Sequence, residues 1–376
     1  MRKLATIREI KEIKPIANAD SLELAIIDGW EVVINKKENL KANDLVVYFE
    51  IDAILPERPE FEFLRSKKFR IRTIKLRGQV SQGLVMPLLI LPSGHKAKLG
   101  DDVTEILGVK KHNDEDVKPI ETKKPKNKFV KLLTRFKWFR DLQKRLKGKD
   151  KTAFPSWIKK TDEPRIQNLS IAFEDWKRHN YAFDVTEKID GCSATYYLDG
   201  RHLRGKAFEK PHKYEFGVAS RNRSLPKSDD SAYWTVAVEY KLREAMEFIA
   251  THTHAKTVVI QGEIIGEKIQ GNKYGYKRKN DEFHTYEFYV YNLIIDGEKL
   301  NYEAMDEWMA ATHSLRPVPL LFEYRSLEDS IPEMVDFAKG KSTLADIKRE
   351  GLVWRNNEKG ISFKVINAEF LLAYDE

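Results

Sequence analysis

One stretch constrains this chain before anything else does. Residues 121–151 hold thirteen Lys and Arg against Glu121, Asp141 and Asp150, a net +10. The whole chain carries +8, so the rest sums to about −2. One basic segment on a near-neutral body points to a polyanionic partner; a solvated linker is the alternative. Within the segment Phe129, Leu132, Leu133, Phe136, Phe139, Leu142 and Leu146 fall near helical spacing, with Lys and Arg between them. That pattern predicts a basic amphipathic helix whose apolar face packs on a domain, with membrane or partner binding as the lesser alternative. Pro155 and Pro164 punctuate the chain after it.

The 376 residues suffice for two domains of ordinary size. Residues 1–110 read as short strands, at 3–13, 22–27, 30–35, 45–50, 69–76 and 80–87, with a hairpin signal at Asp28-Gly29. Such a run predicts a small barrel or sandwich. Arg70, Arg72, Lys75 and Arg77 recur near strand alternation, with Ile71, Ile74 and Leu76 between them. A barrel used purely as a structural cap would carry the same strands.

Several classes are disfavoured. No apolar run approaches the ~20 residues of a membrane-spanning helix, and the basic N-terminus lacks the apolar stretch of a signal peptide. The one cysteine, Cys192, forbids an intrachain disulfide, and with scattered His it makes a structural zinc site unexpected. We expect an intracellular, cytoplasmic monomer with no membrane association.

Residues 111–165 form the basic helical linker, and 166–376 alternate strands and helices. A long helix is expected at 234–252. Strands are expected at 183–188, 194–198, 257–261, 287–295, 352–355 and 361–366, with turns at Asp199-Gly200 and Asp296-Gly297. This is an α+β pattern with antiparallel sheets.

Five segments there carry chemistry. Thr186-Glu187-Lys188-Ile189-Asp190-Gly191 ends one strand and precedes another, which lets a lysine project into a cleft while the backbone turns. Alone, that segment also describes an ordinary hairpin with a surface lysine. Gln261-Gly262-Glu263-Ile264-Ile265-Gly266 sets an acid between glycines that permit close approach of a ligand to backbone. Glu287-Phe288-Tyr289-Val290-Tyr291-Asn292 offers a flat aromatic face, or plain core packing. Glu350-Gly351-Leu352-Val353-Trp354-Arg355 starts a strand with a carboxylate, and Ser362-Phe363-Lys364-Val365-Ile366-Asn367 brings a second lysine.

In this order the five segments resemble the nucleotidyltransferase motifs of ATP-dependent ligases and mRNA capping enzymes, over residues 186–367. Ser220-Arg221-Asn222 falls where that superfamily has a further Ser-Arg motif. The stretch Ile74-Lys75-Leu76-Arg77-Gly78-Gln79-Val80-Ser81-Gln82-Gly83-Leu84 looks like part of an OB-fold nucleic-acid-binding domain. Nine residues follow Asn367, so an OB domain after the last motif is not expected. An OB domain placed first, with Phe154-Pro155-Ser156-Trp157-Ile158-Lys159-Lys160-Thr161-Asp162-Glu163-Pro164-Arg165-Ile166-Gln167-Asn168 leading into the second domain, resembles the Naegleria-type RNA ligases.

The resemblance implies an N-terminal OB-like β-barrel followed by an antiparallel-sheet nucleotidyltransferase domain, ATP-grasp-like in arrangement. It implies ATP as substrate, Mg²⁺ or Mn²⁺, and RNA or a nicked RNA-containing duplex as the polymer. Lys188 would take AMP from ATP, pass it to a 5′-phosphate, and a 3′-OH would then displace it. An amine attacks only when unprotonated, and free lysine has a pKa near ~10.4, so a neighbouring metal ion would have to depress it. By the same resemblance Asp190, Glu263 and Glu350 hold the hydrated ion. Glu263 also reaches the ribose, Tyr291 stacks on adenine, and Glu187 faces the adenine amino edge. Lys364 contacts the α-phosphate, Arg221 the ribose or the 5′-phosphate end, and Arg165 the ATP phosphates. Two departures stand out. Ile366 replaces a frequent second lysine, and Ser193 stands where some ligases have Asn or Arg. A DNA ligase, a capping guanylyltransferase and an inactive RNA-binding protein on the same fold are the competing readings.

Overall fold

The computed structural model describes residues 3–112, 152–203, 213–228, 231–277 and 284–374. The basic helix expected within 129–146 lies outside the described residues.

The N-terminal part consists of β1 (Ala5–Glu9), β2 (Glu12–Pro15), β3 (Leu22–Ile27), β4 (Trp30–Asn35), β5 (Leu45–Phe49), β6 (Ala53–Ile54), β7 (Thr73–Leu76), β8 (Gln79–Gln82), β9 (Leu84–Pro87) and β10 (Lys110–Lys111). β1, β5 and β9 form one antiparallel sheet, β2 to β4 a meander, and β7 and β8 a hairpin. β4 alternates strictly, turning Trp30, Val32 and Ile34 inward. β5 is apolar on both faces because it separates two clusters. Val47 and Phe49 meet Ile7, Phe61 and Ile71 on one side, and Val46 and Tyr48 meet Trp30, Val32 and Ile34 on the other. The strand expected at 80–87 breaks at Gly83, whose φ is +109° and where a Cβ would lie 2.7 Å from the Phe49 carbonyl oxygen. Only glycine fits that left-handed, crowded position. Of the four basic residues on the alternating stretch, Lys75 and Arg77 are exposed, whereas Arg70 is paired with Asp52 at 2.9 Å.

The C-terminal part runs α1 (Ser170–Arg178), β11 (Ala182–Lys188), β12 (Cys192–Asp199), β13 (Glu215–Ser220), α2 (Ala232–Glu239), α3 (Leu242–Thr253), β14 (Thr257–Ile265), β15 (Glu287–Ile295) and β16 (Glu298–Lys299). It continues with α4 (Tyr302–Thr312), β17 (Arg316–Pro317), β18 (Leu320–Ser326), α5 (Ile331–Phe337), β19 (Gly351–Asn356), β20 (Ile361–Ile366) and α6 (Ala368–Tyr374). Two sheets result. One has the order β18-β11-β19-β20, the other β13-β12-β14-β15-β16, and both are antiparallel apart from a short parallel pair of β17 with β15. The first packs Phe183, Val185, Leu352, Trp354 and Phe363 against α1 and α5. The second packs Tyr196, Val258, Ile260, Phe288 and Val290 against α2, α3 and α4.

The single helix expected at 234–252 is two helices, divided at Lys241 with φ 48°. Tyr240 and Leu242 are both buried in the same core. On a continuous helix, residues two apart point to roughly opposite sides, so the break is what lets both face inward. No helix among the described residues is long and apolar enough to cross a membrane.

The two parts meet along 165–168 and α6. Trp30 Nε1 donates to Asn168 Oδ1 at 3.0 Å, and Asn168 Nδ2 donates to Glu50. The Arg165 guanidinium lies 5.8 Å from the Trp30 ring. Leu371 of α6 packs against the cluster around Phe49 and Phe61.

Candidate active site

The alternation of β11 decides where Lys188 points. Phe183 and Val185 enter the core under the first sheet, so the residues of opposite parity, Thr186 and Lys188, face away from it. Gly191 then turns the chain tightly against β14. A Cβ there would lie 2.3 Å from the Ile264 carbonyl oxygen, so no side chain is tolerated. β12 leaves this turn and pairs with β14, which sets Ser193 opposite Glu263.

Lys188 Nζ pairs with Glu350 Oε2 at 2.6 Å, with side-chain exposures of 25% and 12%. Burial works to lower the Lys188 pKa, but the Glu350, Glu263 and Asp190 carboxylates outweigh it and hold the amine above its ordinary value. The reciprocal strain falls on the acids. Burial, then the charges of Glu350 and Asp190, raise Glu263 to about 8 against the pull of Lys188. Burial likewise raises Glu350, with Lys188 opposing. Both glutamates are therefore pushed toward the neutral acid, chiefly by burial, and the amine toward its protonated form.

Asp190 is held by two partners that sequence reasoning did not find. Lys273 Nζ lies 2.6 Å from Asp190 Oδ2, and the Asp190 N–H donates to Tyr274 Oη at 2.8 Å. Among the described residues no three of His, Cys, Asp and Glu are gathered closely enough to hold an ion by themselves. Glu350 pairs with Lys188 and Asp190 with Lys273.

Tyr291 sits on β15 with its hydroxyl in a network, 2.6 Å from Ser193 Oγ and 3.1 Å from Thr161 Oγ1. The Arg355 guanidinium lies 5.9 Å from its ring. Ser193 is thus an anchor for the aromatic ring. Glu187 is 1% exposed, and both its oxygens are engaged, by Ser342 Oγ at 2.5 Å and by Thr343 N and Oγ1 at 2.8 and 2.6 Å. Here it anchors the loop that leads to Glu350. The glycines beside Glu263 also have a different use. A Cβ on Gly262 would meet the Phe288 ring at 2.5 Å, and one on Gly266 the Tyr286 ring at 2.5 Å. The close approach they permit is by neighbouring aromatic rings.

The remaining cations converge on a residue that the motifs do not include. Asp162 Oδ1 accepts from Arg221 Nη2 at 2.8 Å and from Lys364 Nζ at 3.3 Å, while Lys111 Nζ lies 3.4 Å from Oδ2. Arg165 is 7% exposed at the junction under Trp30, and the Lys364 N–H donates to Pro164 O at 2.8 Å. A cleft of about 640 Å³ opens here, lined by Lys3 and Arg8 of the N-terminal part together with Asp162, Arg165 and Lys364. Lys188, Glu263, Glu350 and Asp190 thus form one group, and Arg221 and Lys364 a second beside the junction.

A sequence model described as an OB-fold domain matches residues 4–88, and one described as RNA ligase matches residues 182–366. No curated protein sequence matches. Solved structures do. A mutant of Naegleria gruberi RNA ligase with ATP and Mn aligns at TM-score 0.78 and 32% identity, over 100% of both chains. The same organism's RNA ligase with PPi aligns at 0.77 and 33% identity, over 99% of this chain and 98% of that one. A mutant with AMP and Mn aligns at 0.76 and 32% identity, over 98% of each.

Proposed function

This chain belongs to the RNA ligase family of ATP-dependent, AMP-forming enzymes, and on that premise we propose that Lys188 is the residue that takes up AMP. The observation that carries the reading is the ion pair of Lys188 with Glu350, flanked by Glu263 and Asp190. Lys188 Nζ attacks the α-phosphorus of ATP, a nitrogen–phosphorus bond forms, and pyrophosphate leaves. The nitrogen sheds two protons in all: the ammonium loses one to solvent before the attack, and the one released as the nitrogen–phosphorus bond forms goes to Glu350 Oε2, 2.6 Å away. AMP then passes from Lys188 to a 5′-phosphate of RNA, and a 3′-OH displaces it to seal the strand.

Before that attack the amine must lose its proton, and the carboxylates around it oppose this. The enzyme uses a divalent metal, and the oxygen donors of Asp190, Glu263 and Glu350 suit a hard ion such as Mg²⁺. Because the three are not gathered into a closed cage, we assign them to an ion that keeps part of its water shell. When bound, such an ion offsets charge on the phosphate and on the carboxylates, which favours the neutral amine.

We assign the other residues as follows. Tyr291 supplies the stacking face for adenine, held in orientation by Ser193 and Thr161. Glu187 faces the adenine amino edge with the one acceptor position of Oε1 that Ser342 leaves, its Oε2 being taken by Thr343 N and Oγ1. Glu263 adds a contact to the ribose. Lys364 takes the α-phosphate and Arg221 the 5′-phosphate end, each leaving Asp162 to do so. Arg165, with Lys3 and Arg8 of the OB domain, supports the outer phosphates from the junction cleft. The polymer is RNA or a nicked duplex containing it, reached by a monomer through the basic hairpin at Lys75 and Arg77.

Incubation with Mg²⁺ and α-labelled ATP tests the centre of this reading. Label should stay on the denatured wild-type protein and be absent from Lys188→Ala, and α-labelled GTP should give none. Wild-type labelling of the variant would remove Lys188 from the reaction.

A further inference from the structure

Asp190 already has a cation. Lys273 reaches it from the segment between β14 and β15, and the two side chains are each 20% exposed. Tyr274, the next residue, fixes that segment by accepting the Asp190 N–H. On its other side the Lys273 ammonium lies 5.2 Å from the Phe370 ring and 6.0 Å from the Tyr374 ring, both on α6. One ammonium thus stands between a carboxylate and two aromatic faces, each a favourable environment for it.

The charge count gives this a consequence. Asp190, Glu263 and Glu350 act on one another and on Lys188. Lys188 is committed to Glu350. Lys273 therefore removes a second negative charge from the set, and a divalent cation meets a weaker attraction while Lys273 stays on Asp190. We propose that Lys273 is a built-in counter-ion that competes with the divalent metal for Asp190. It swings toward the Phe370 and Tyr374 rings when the metal loads, and so it sets the metal concentration at which Lys188 is adenylylated. This rests on the reading that Asp190 helps hold the metal.

The experiment is a titration of the full chain with Mn²⁺ in the presence of saturating AMP, with free Mn²⁺ followed by electron paramagnetic resonance. Lys273→Met keeps the length of the side chain and removes its charge. Freeing a partly buried carboxylate from one ion pair should tighten Mn²⁺ about threefold to tenfold. The Mg²⁺ concentration that half-saturates adenylylation should fall by the same factor. Lys273→Arg should stay within about twofold of wild type because it keeps the charge. Asp190→Asn should weaken Mn²⁺ binding, and Lys273→Met added to it should change nothing further. Lys273→Gln repeats the titration should the methionine variant not give a cooperative melt. Unchanged or weaker Mn²⁺ binding in the neutral Lys273 variants, with Asp190→Asn still weakening it, would overturn the proposal alone. Undiminished Mn²⁺ binding in Asp190→Asn would overturn the underlying assignment of Asp190.

Discussion

Two neighbouring groups of side chains arrange charge in opposite ways. Around Lys188, carboxylates surround a single amine, and Glu350 is only 12% exposed. Around Asp162, three cations surround a single carboxylate that is 36% exposed. Charges act strongly on one another where water is excluded and weakly where it is not. The first group accordingly shifts its own protonation, with Glu263 raised to about 8 by burial and its neighbouring carboxylates. In the second, Arg221 and Lys111 are 40% and 37% exposed and Lys364 is 13% exposed; the two exposed pairs are worth about 0–1 kcal/mol each, which a phosphate can replace. On the proposed assignments the difference separates chemistry from capture: the buried group would tune a nucleophile, and the more exposed one would release its cations to an incoming anion.

The largest expected effect breaks the first group. Glu350→Ala removes the proposed proton acceptor of Lys188, which is also one proposed metal-orienting carboxylate. We predict a loss of adenylylation on the order of 10–100-fold, with the thermal melt still cooperative. Normal rates across a Mg²⁺ titration would make Glu350 a structural residue and erase the contrast with Asp162.

The two groups also differ in how far they could be read from the sequence. Lys188, Glu263 and Glu350 lie in motifs whose order and strand-end positions reveal them, because alternation along β11 and β19 is a local property. The strands at 183–188, 287–295 and 361–366 are present for the same reason. The break at Lys241 is less visible, since it depends on what Tyr240 and Leu242 pack against. Lys273, Ser342 and Thr343 carry no motif. They meet Asp190 and Glu187 from 83, 155 and 156 residues away, through loop geometry that periodicity does not encode. Asp162 is a member of the stretch that resembles the family's lead-in, yet its role as the meeting point of Arg221, Lys364 and Lys111 exists only in three dimensions.

A second prediction sharpens the comparison through pH. The folded-state pKa of Glu263 is raised to about 8 from an ordinary 4.5. The native protein therefore favours the protonated acid. The stability this contributes is fully present below about 4.5 and is lost as pH rises through 8. Glu263→Gln mimics the protonated form at every pH. Without metal and nucleotide, its melting temperature should exceed that of wild type by a margin that grows from pH 5 to 8 and then levels off. A constant margin across that range would mean that Glu263 does not titrate in the native protein, and that the first group is less tightly coupled than its geometry implies.

The smallest effect belongs to the second group. Asp162→Asn removes the acid on which Arg221, Lys364 and Lys111 converge, and leaves a side chain of the same size. If these pairs are exchangeable, the cations lose only a competitor of phosphate. The KM for ATP should then fall by less than about fivefold, the span of one exposed ion pair. The rate of adenylylation at saturating ATP should change less than KM, because the charges that act on Lys188 are those of Glu350, Glu263 and Asp190. Added salt should narrow the difference from wild type, since it screens exposed charges and barely reaches buried ones. The opposite result would carry equal information. A KM raised tenfold or more would mean that Asp162 holds Lys364 and Arg221 in the positions they need. The second group would then be a fixed frame like the first, with exposure no guide to which charges are released.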